Sequence, residues 1–179
     1  MRRDFLYYIN NEIEMVKQGK EGLIIAKMNS LVDKGIIEAL YNAARNGVKV
    51  ELIIRGMCSL KSGMDGISSN IKVRSIVGKY LEHSRIFYFE NGRNPKVFLA
   101  SADWMERNLN WRIETMFPIE DSDLKKRVKE ILDANLEDSI KARVQLPDGK
   151  YERIDRRGKK SFNSQHHFYN MAKESYLDA

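Results

Sequence analysis

Apolar positions recur along the first third of the chain in two alternating rhythms. Phe5, Leu6, Ile9, Ile13 and Val16 stand at the spacing that lines one face of a helix, and the pattern stops near Gln18-Gly19-Lys20. The compact apolar run Leu23-Ile24-Ile25-Ala26 then reads as a short buried strand that closes on Lys27-Met28-Asn29-Ser30. Helical spacing returns with Ile36, Ile37, Leu40 and Ala44, where Asp33 is placed to cap the start and Gly47 to end it. Residues 48–54 form a second apolar strand. Strand, helix and strand in that order make a βαβ unit, so the two strands are expected to be parallel.

Further on, the pattern turns to shorter elements. Residues 72–77 predict a third strand, and residues 84–89 and 96–99 predict a hairpin around Asn91-Gly92-Arg93-Asn94-Pro95. Another strand is predicted at 112–117, followed by a charged amphipathic helix at 121–135. Residues 140–154 predict a second hairpin around Pro147-Asp148-Gly149-Lys150, then a mobile basic loop at 153–160 and a closing helix from 164 to 177. The sum is an α/β fold with a mixed sheet flanked by helices and a small C-terminal extension. We divide it into residues 1–120 and 121–179, the second part packed on the same domain. No internal repeat or low-complexity tract interrupts it.

Composition narrows the classes. With 179 residues, 42% of them hydrophobic, the chain is long enough for one domain with a sizeable core. No apolar run approaches membrane-spanning length, and Met1-Arg2-Arg3-Asp4 leads into an amphipathic helix where a secretory signal would be apolar. The single cysteine, Cys58, excludes an internal disulfide, fits a reducing compartment and leaves no Cys-rich zinc site. A cytoplasmic location is therefore expected. The net charge is +6, and it is concentrated between residues 141 and 160. Such a bias favours an anionic partner, and the basic tail also suits contact with an acidic membrane face.

Candidate chemistry gathers at the strand ends. Open α/β sheets bind ligands beyond the carboxyl ends of their parallel strands. The first strand delivers Lys27, Asn29 and Ser30 there, and the second delivers Arg55 and Gly56. Lysine, arginine, amide and hydroxyl converge where carboxylates are scarce, which suits several phosphates, and Arg55 can grip one with two donors. The second feature is Glu82-His83-Ser84-Arg85, at the start of the predicted strand 84–89. On a strand, His83 and Arg85 would share a face, an imidazole beside a guanidinium, with Glu90 placed to orient or balance Arg85. Residues 61–66 contain glycines but lack the order of a phosphate-binding P-loop and read as a flexible connection. Trp104 and Trp111 read as core or edge residues in preference to base-stacking platforms. His166 and His167 are adjacent on a helix, point apart and suit no metal site.

Five stretches carry a resemblance to a known family: Lys27-Met28-Asn29-Ser30-Leu31-Val32-Asp33, Leu52-Ile53-Ile54-Arg55-Gly56-Met57-Cys58, Val73-Arg74-Ser75-Ile76-Val77-Gly78, Glu82-His83-Ser84-Arg85 and Ser101-Ala102-Asp103-Trp104. In order and spacing they resemble the C-terminal region of the bacterial polyphosphate kinases of the first family, over nearly the whole chain. That family is similar to phospholipase D in its core, with two like halves that each bring a histidine motif. The phospholipase D motif has His, Lys and Asp where this chain has His83, Arg85 and Glu90, a departure that argues against a diesterase.

The resemblance implies a reversible transfer of the ATP γ-phosphate to polyphosphate through a phosphohistidine in the other half. His83 would be the second-half histidine, a proton donor or phosphate binder, and Arg55 would contact the nucleotide phosphates. To these, strand-end geometry adds Lys27 and Arg85 as phosphate binders. Mg2+ is expected to bridge the phosphates, with no metal ligand among these residues. The nucleophilic half, implied as the partner of this one, lies outside these residues, and the full-length enzyme would be a homo-oligomer. No nucleic acid is expected as a partner. Two other classes stay open: a phospholipase D-like diesterase or nuclease in which two copies of His83 complete a site, and a polyanion-binding module built on residues 141–160.

Overall fold

Strands β1 (Leu23–Met28) and β2 (Lys49–Ile54) are buried on both faces, and alternate residues enter two different cores. Ile24, Ala26, Met28, Val50, Leu52 and Ile54 pack on one side; Ile25 and Ile53 pack on the other. The period-2 alternation of a strand explains the split. The computed structural model, which describes residues 1–158 and 160–177, shows what covers each face. Helices α1 (Arg2–Lys17) and α2 (Lys34–Arg45) cover the first face with Phe5, Ile9, Ile13, Ile36 and Leu40. Helix α3 (Ser122–Glu137) covers the second with Leu132, Val128 and Ile131.

The remaining strands are β3 (Ile71–Ile76), β4 (Ile86–Phe89), β5 (Lys96–Ala100), β6 (Met116–Ile119), β7 (Ala142–Gln145) and β8 (Tyr151–Arg153). They complete one eight-stranded sheet in the order β6-β5-β4-β1-β2-β3-β7-β8. β1 is parallel to β2 and β2 to β3, as the βαβ reading predicts for the first pair. Every other pairing is antiparallel. The predicted C-terminal hairpin is thus β7–β8, joined to the sheet through β3, and α4 (Ser164–Leu177) closes the chain.

Aromatic packing fixes the α1 side. The rings of Phe5, Phe87 and Trp104 meet with centroids 4.5, 5.5 and 5.0 Å apart. Of the two tryptophans read as core or edge residues, Trp104 is fully buried in the core, whereas Trp111 is 79% exposed. Residues 107–111 form a π-helical turn that leaves Trp111 outside the core, and the strand predicted at 112–117 begins only at Met116, as β6.

Buried polar side chains tie elements that are distant in sequence. Glu12, with no solvent exposure, accepts the backbone N–H of Leu23 at 3.0 Å and of Asn91 at 2.7 Å. It thereby pins α1 to the start of β1 and to the β4–β5 turn. That turn runs through three left-handed residues, Asn91, Gly92 and Arg93. A side chain at Gly92 would also run into Lys20 and Met15. Asp138 accepts from the backbone N–H groups of Ile140, Lys141 and Ala142 and from both the N–H and hydroxyl of Ser164. One carboxylate therefore joins the end of α3, the start of β7 and the start of α4.

The loop predicted as a flexible connection at 61–66 is anchored instead. Ser62 donates from its N–H and its hydroxyl to the Gln145 side-chain oxygen, and the Ser68 hydroxyl donates to the Lys61 carbonyl. Both serines are buried. Residues 154–158 belong to no helix or strand. Lys159, within the predicted basic loop, lies outside the described residues.

Candidate functional site

The site forms where β1 and β2 end. Lys27 lies on the α3 side of β1 with a relative exposure of 6%, so its ammonium needs partners. It finds the Glu82 carboxylate at 2.9 Å and the Ser84 hydroxyl at 3.0 Å. Glu82 in turn accepts from the Gln165 amide at 2.8 Å, and that glutamine brackets Tyr80 by bonding both its N–H and its carbonyl. The N-terminal turn of α4 therefore holds the loop that carries His83.

Arg55 follows β2 and directs its Nε and one terminal nitrogen at the Asn29 side-chain oxygen, at 3.1 and 2.7 Å. Asn29 is held by Asp103, whose Oδ1 accepts the Asn29 backbone N–H at 2.8 Å. The same Oδ1 accepts Arg85 Nε at 3.2 Å. One carboxylate thus orients both arginines, one directly and one through the amide. The backbone strands approach closely here: Gly56 N–H donates to the Asn29 carbonyl at 2.7 Å, and a Cβ at Gly56 would lie 2.9 Å from that oxygen. Loops beyond the strands are stitched as well, since Leu31 bridges both Cys58 and Trp104.

The structure corrects the strand reading of His83 and Arg85. β4 begins at Ile86, so both residues lie in the preceding loop. The Arg85 guanidinium donates to the His83 carbonyl at 2.8 Å, a local side chain-to-backbone bond that competes with an extended ladder. The His83 imidazole is exposed.

Glu90 does not orient Arg85. It accepts the Tyr88 hydroxyl at 2.6 Å, and its N–H donates to Leu23 at the opposite end of β1. Asp103 takes that role, although its signal in the sequence was only a small-residue turn before a tryptophan. Gln165 was equally silent, because its contacts lie 83 and 85 residues away.

Lys27, Arg55, Arg85 and His83 thus stand around one edge with two carboxylates, Glu82 and Asp103, both already engaged by cations or amides. Such an edge can hold an anion with several oxygens by charge-assisted hydrogen bonds. Its own carboxylates do not form a metal cage, and among the described residues no cluster of three or more His, Cys, Asp or Glu side chains is placed to hold a metal ion. A groove beside the edge, lined by Tyr80, Ile86, Leu99, Val128, Ile131 and Phe168, is mainly apolar. No helix among the described residues is long and apolar enough to cross a membrane.

Comparison with known proteins places the chain in a family. Residues 1–165 match the family described as polyphosphate kinase C-terminal domain 2. A polyphosphate kinase from Bacillus anthracis is 47% identical over 172 residues, which cover 96% of this chain and 24% of that protein. The crystal structure of polyphosphate kinase from Porphyromonas gingivalis superimposes with a TM-score of 0.94 at 40% identity, covering 100% of this chain and 28% of that one. The phospholipase D family member Nuc from Salmonella typhimurium shares the fold, with a TM-score of 0.52 at 16% identity over 80% of this chain and 89% of that one. The chain spans about a quarter of the length of the curated relative it matches. With its cation-rich strand edge and its phospholipase D-like sheet, the chain belongs to the polyphosphate kinase C-terminal domain family.

Proposed function

We propose that this chain is the phosphate-gripping half of an ATP:polyphosphate phosphotransferase, which reversibly moves the γ-phosphate of ATP to polyphosphate. The observation that carries this reading is the convergence of Lys27, Arg55 and Arg85 on one strand edge in a chain of this family. Arg55 is oriented by Asn29 with two nitrogens, so it presents its remaining guanidinium edge to a phosphate in a fixed direction. Arg85, held by Asp103, and Lys27, held by Glu82, add positive charge where negative charge moves between phosphates. His83, exposed above them, serves as proton donor or phosphate ligand.

The phosphohistidine forms on the other half of the enzyme, which the chain meets as a partner. Full-length assembly is homo-oligomeric, no nucleic acid takes part, and the enzyme works in the cytoplasm. The carboxylates at this edge are already engaged by cations and amides, so Mg2+ would be held by the phosphates of the substrate and not by these residues, and would offset the phosphate charge. In this reading residues 1–120 carry the site and residues 121–179 brace it, Gln165 holding Glu82.

Arg55→Ala in the full-length enzyme is expected to lower kcat/KM for ATP by about 10²–10³-fold, the loss usual for one aimed donor at a developing charge. An unchanged kcat/KM overturns the proposal. Hydrolysis of a simple phosphodiester by the chain, abolished in His83→Ala, would instead establish the diesterase reading.

A further inference from the structure

We infer that a second anion site lies on the β7–β8 hairpin and guides a linear polyphosphate chain toward the catalytic edge. This rests on the phosphotransferase reading above. The hairpin pairs Arg143 directly opposite Arg153. Like charges in that position repel across the ladder and destabilise the pair, so the arrangement costs stability unless an anion neutralises it. Both side chains are exposed, as are Lys141 and Arg156 beside them. The carboxylates of the segment do not compensate. Asp148 pairs with Lys150 and Asp155 with Arg157, and Glu152 alternates to the face opposite Arg153. Among the described residues, none of Lys141, Arg143, Arg153 and Arg156 is in an ion pair.

These four cations, with Val77 and Ile140, line a cleft of about 350 Å³. Lys141 also lines the adjoining cleft of about 290 Å³, where Lys79 adds a fifth cation and His166 is among the lining residues. That second cleft shares Tyr80, Gln165 and Tyr169 with the groove that reaches Glu82 and Ser84. Glu82 and Ser84 are the two partners of the Lys27 ammonium. Shared lining residues thus link the hairpin cleft to the adjoining cleft and that cleft to the mainly apolar groove beside the catalytic edge, with the cations at the outer end.

The lining chemistry selects the kind of polyanion. Sites for single-stranded nucleic acid combine cations with aromatic platforms on which bases stack. The hairpin cleft, where the cations gather, contains no aromatic side chain, and Tyr80, Tyr169 and Phe168 line only the clefts further in. Its charges suit a chain of phosphates without bases, held by ion pairing alone and released by salt.

The test compares the wild-type chain with Arg143→Glu/Arg153→Glu and with the milder Arg143→Gln/Arg153→Gln. Equilibrium binding is measured to long-chain polyphosphate, to tripolyphosphate and to single-stranded RNA, at several salt concentrations, after circular dichroism confirms folding. The expected result is a loss of about tenfold or more in affinity for long-chain polyphosphate in the Glu variant, a smaller loss in the Gln variant, and a shallower salt slope in both. Tripolyphosphate, which the catalytic edge can hold by itself, is expected to lose far less. Unchanged affinity for long-chain polyphosphate overturns the inference, as does an equal loss for tripolyphosphate. RNA that binds as tightly and loses as much shows a general polyanion surface and also overturns it. Arg55→Ala, read on tripolyphosphate, reports on the catalytic edge separately, so failure of the hairpin site and failure of the phosphotransferase reading are distinguishable.

Discussion

Glu12 shows how much one residue can carry outside the site. Burial pushes its carboxyl up to about 7, against the pull of the Asn91 and Leu23 N–H groups and with help from nearby Glu90. The folded pKa is above the unfolded one, so between the ordinary carboxylate range and about 7 the folded state holds a proton that the unfolded chain has lost. The stability from this group is complete below that range and is lost as pH rises through about 7. Denaturant unfolding across a pH series is expected to show this decline in the wild type and a flatter profile in Glu12→Gln. Glu12→Ala leaves two backbone donors without an acceptor and is expected to cost about 2–4 kcal/mol. At the site itself, Lys27, Arg55 and Arg85 were legible because cations at strand ends have few apolar roles. The partners were not. The sequence points to Glu90 for Arg85 because both fall on or near one predicted strand pair, whereas the fold brings Asp103 across 18 residues.

Helix α2 illustrates what an element owes to its ends. Asp33 accepts the Ile36 N–H at 2.9 Å, as a helix cap should, and the Arg2 guanidinium also grips it through two nitrogens. The cap was readable from the spacing; its link to the first turn of α1 was not, because it spans 31 residues. Asp33→Ala removes both interactions and is expected to cost about 2 kcal/mol in denaturant unfolding. Asp33→Asn, which keeps a capping oxygen, is expected to lose less. An equal loss in the two variants would mean that the ion pair, and not the cap, carries the effect. Boundaries of β4 and β6 were misjudged for a related reason. Residues 84–85 and 112–115 have strand-like composition, but the Arg85 guanidinium closes on the His83 carbonyl and Ser101 and Asn108 hold Glu114. Local polar bonds there outweigh the apolar pattern.

At the scale of the whole molecule, the proposed function makes this edge half of a transfer reaction. His83 is the only histidine ahead of His166 and His167, and in the proposed function it binds phosphate or donates a proton while the nucleophile lies in the other half. The 179-residue chain by itself is therefore expected to make no polyphosphate from ATP, and to bind the nucleotide's phosphates without turnover. Radiolabelled γ-phosphate appearing in acid-insoluble polymer with the pure chain would refute this; transfer restored by adding the rest of the enzyme would support it.

Periodicity alone settled the helices, the parallel β1–β2 pair, both hairpins and the cation-rich character of the edge, because these depend on neighbours three to six residues apart or on composition. The order of the sheet, the joining of the C-terminal hairpin to β3, the clamp of Gln165 on Glu82 and the choice of Asp103 over Glu90 were decided by tertiary packing. Each is a contact between residues far apart along the chain, and nothing in a local pattern encodes which distant carboxylate a buried cation will meet. The same reason hid the linked clefts between the β7–β8 hairpin and the groove beside the catalytic edge: their charges are visible in the sequence, but the linkage exists only once the sheet and α4 bring the lining residues together.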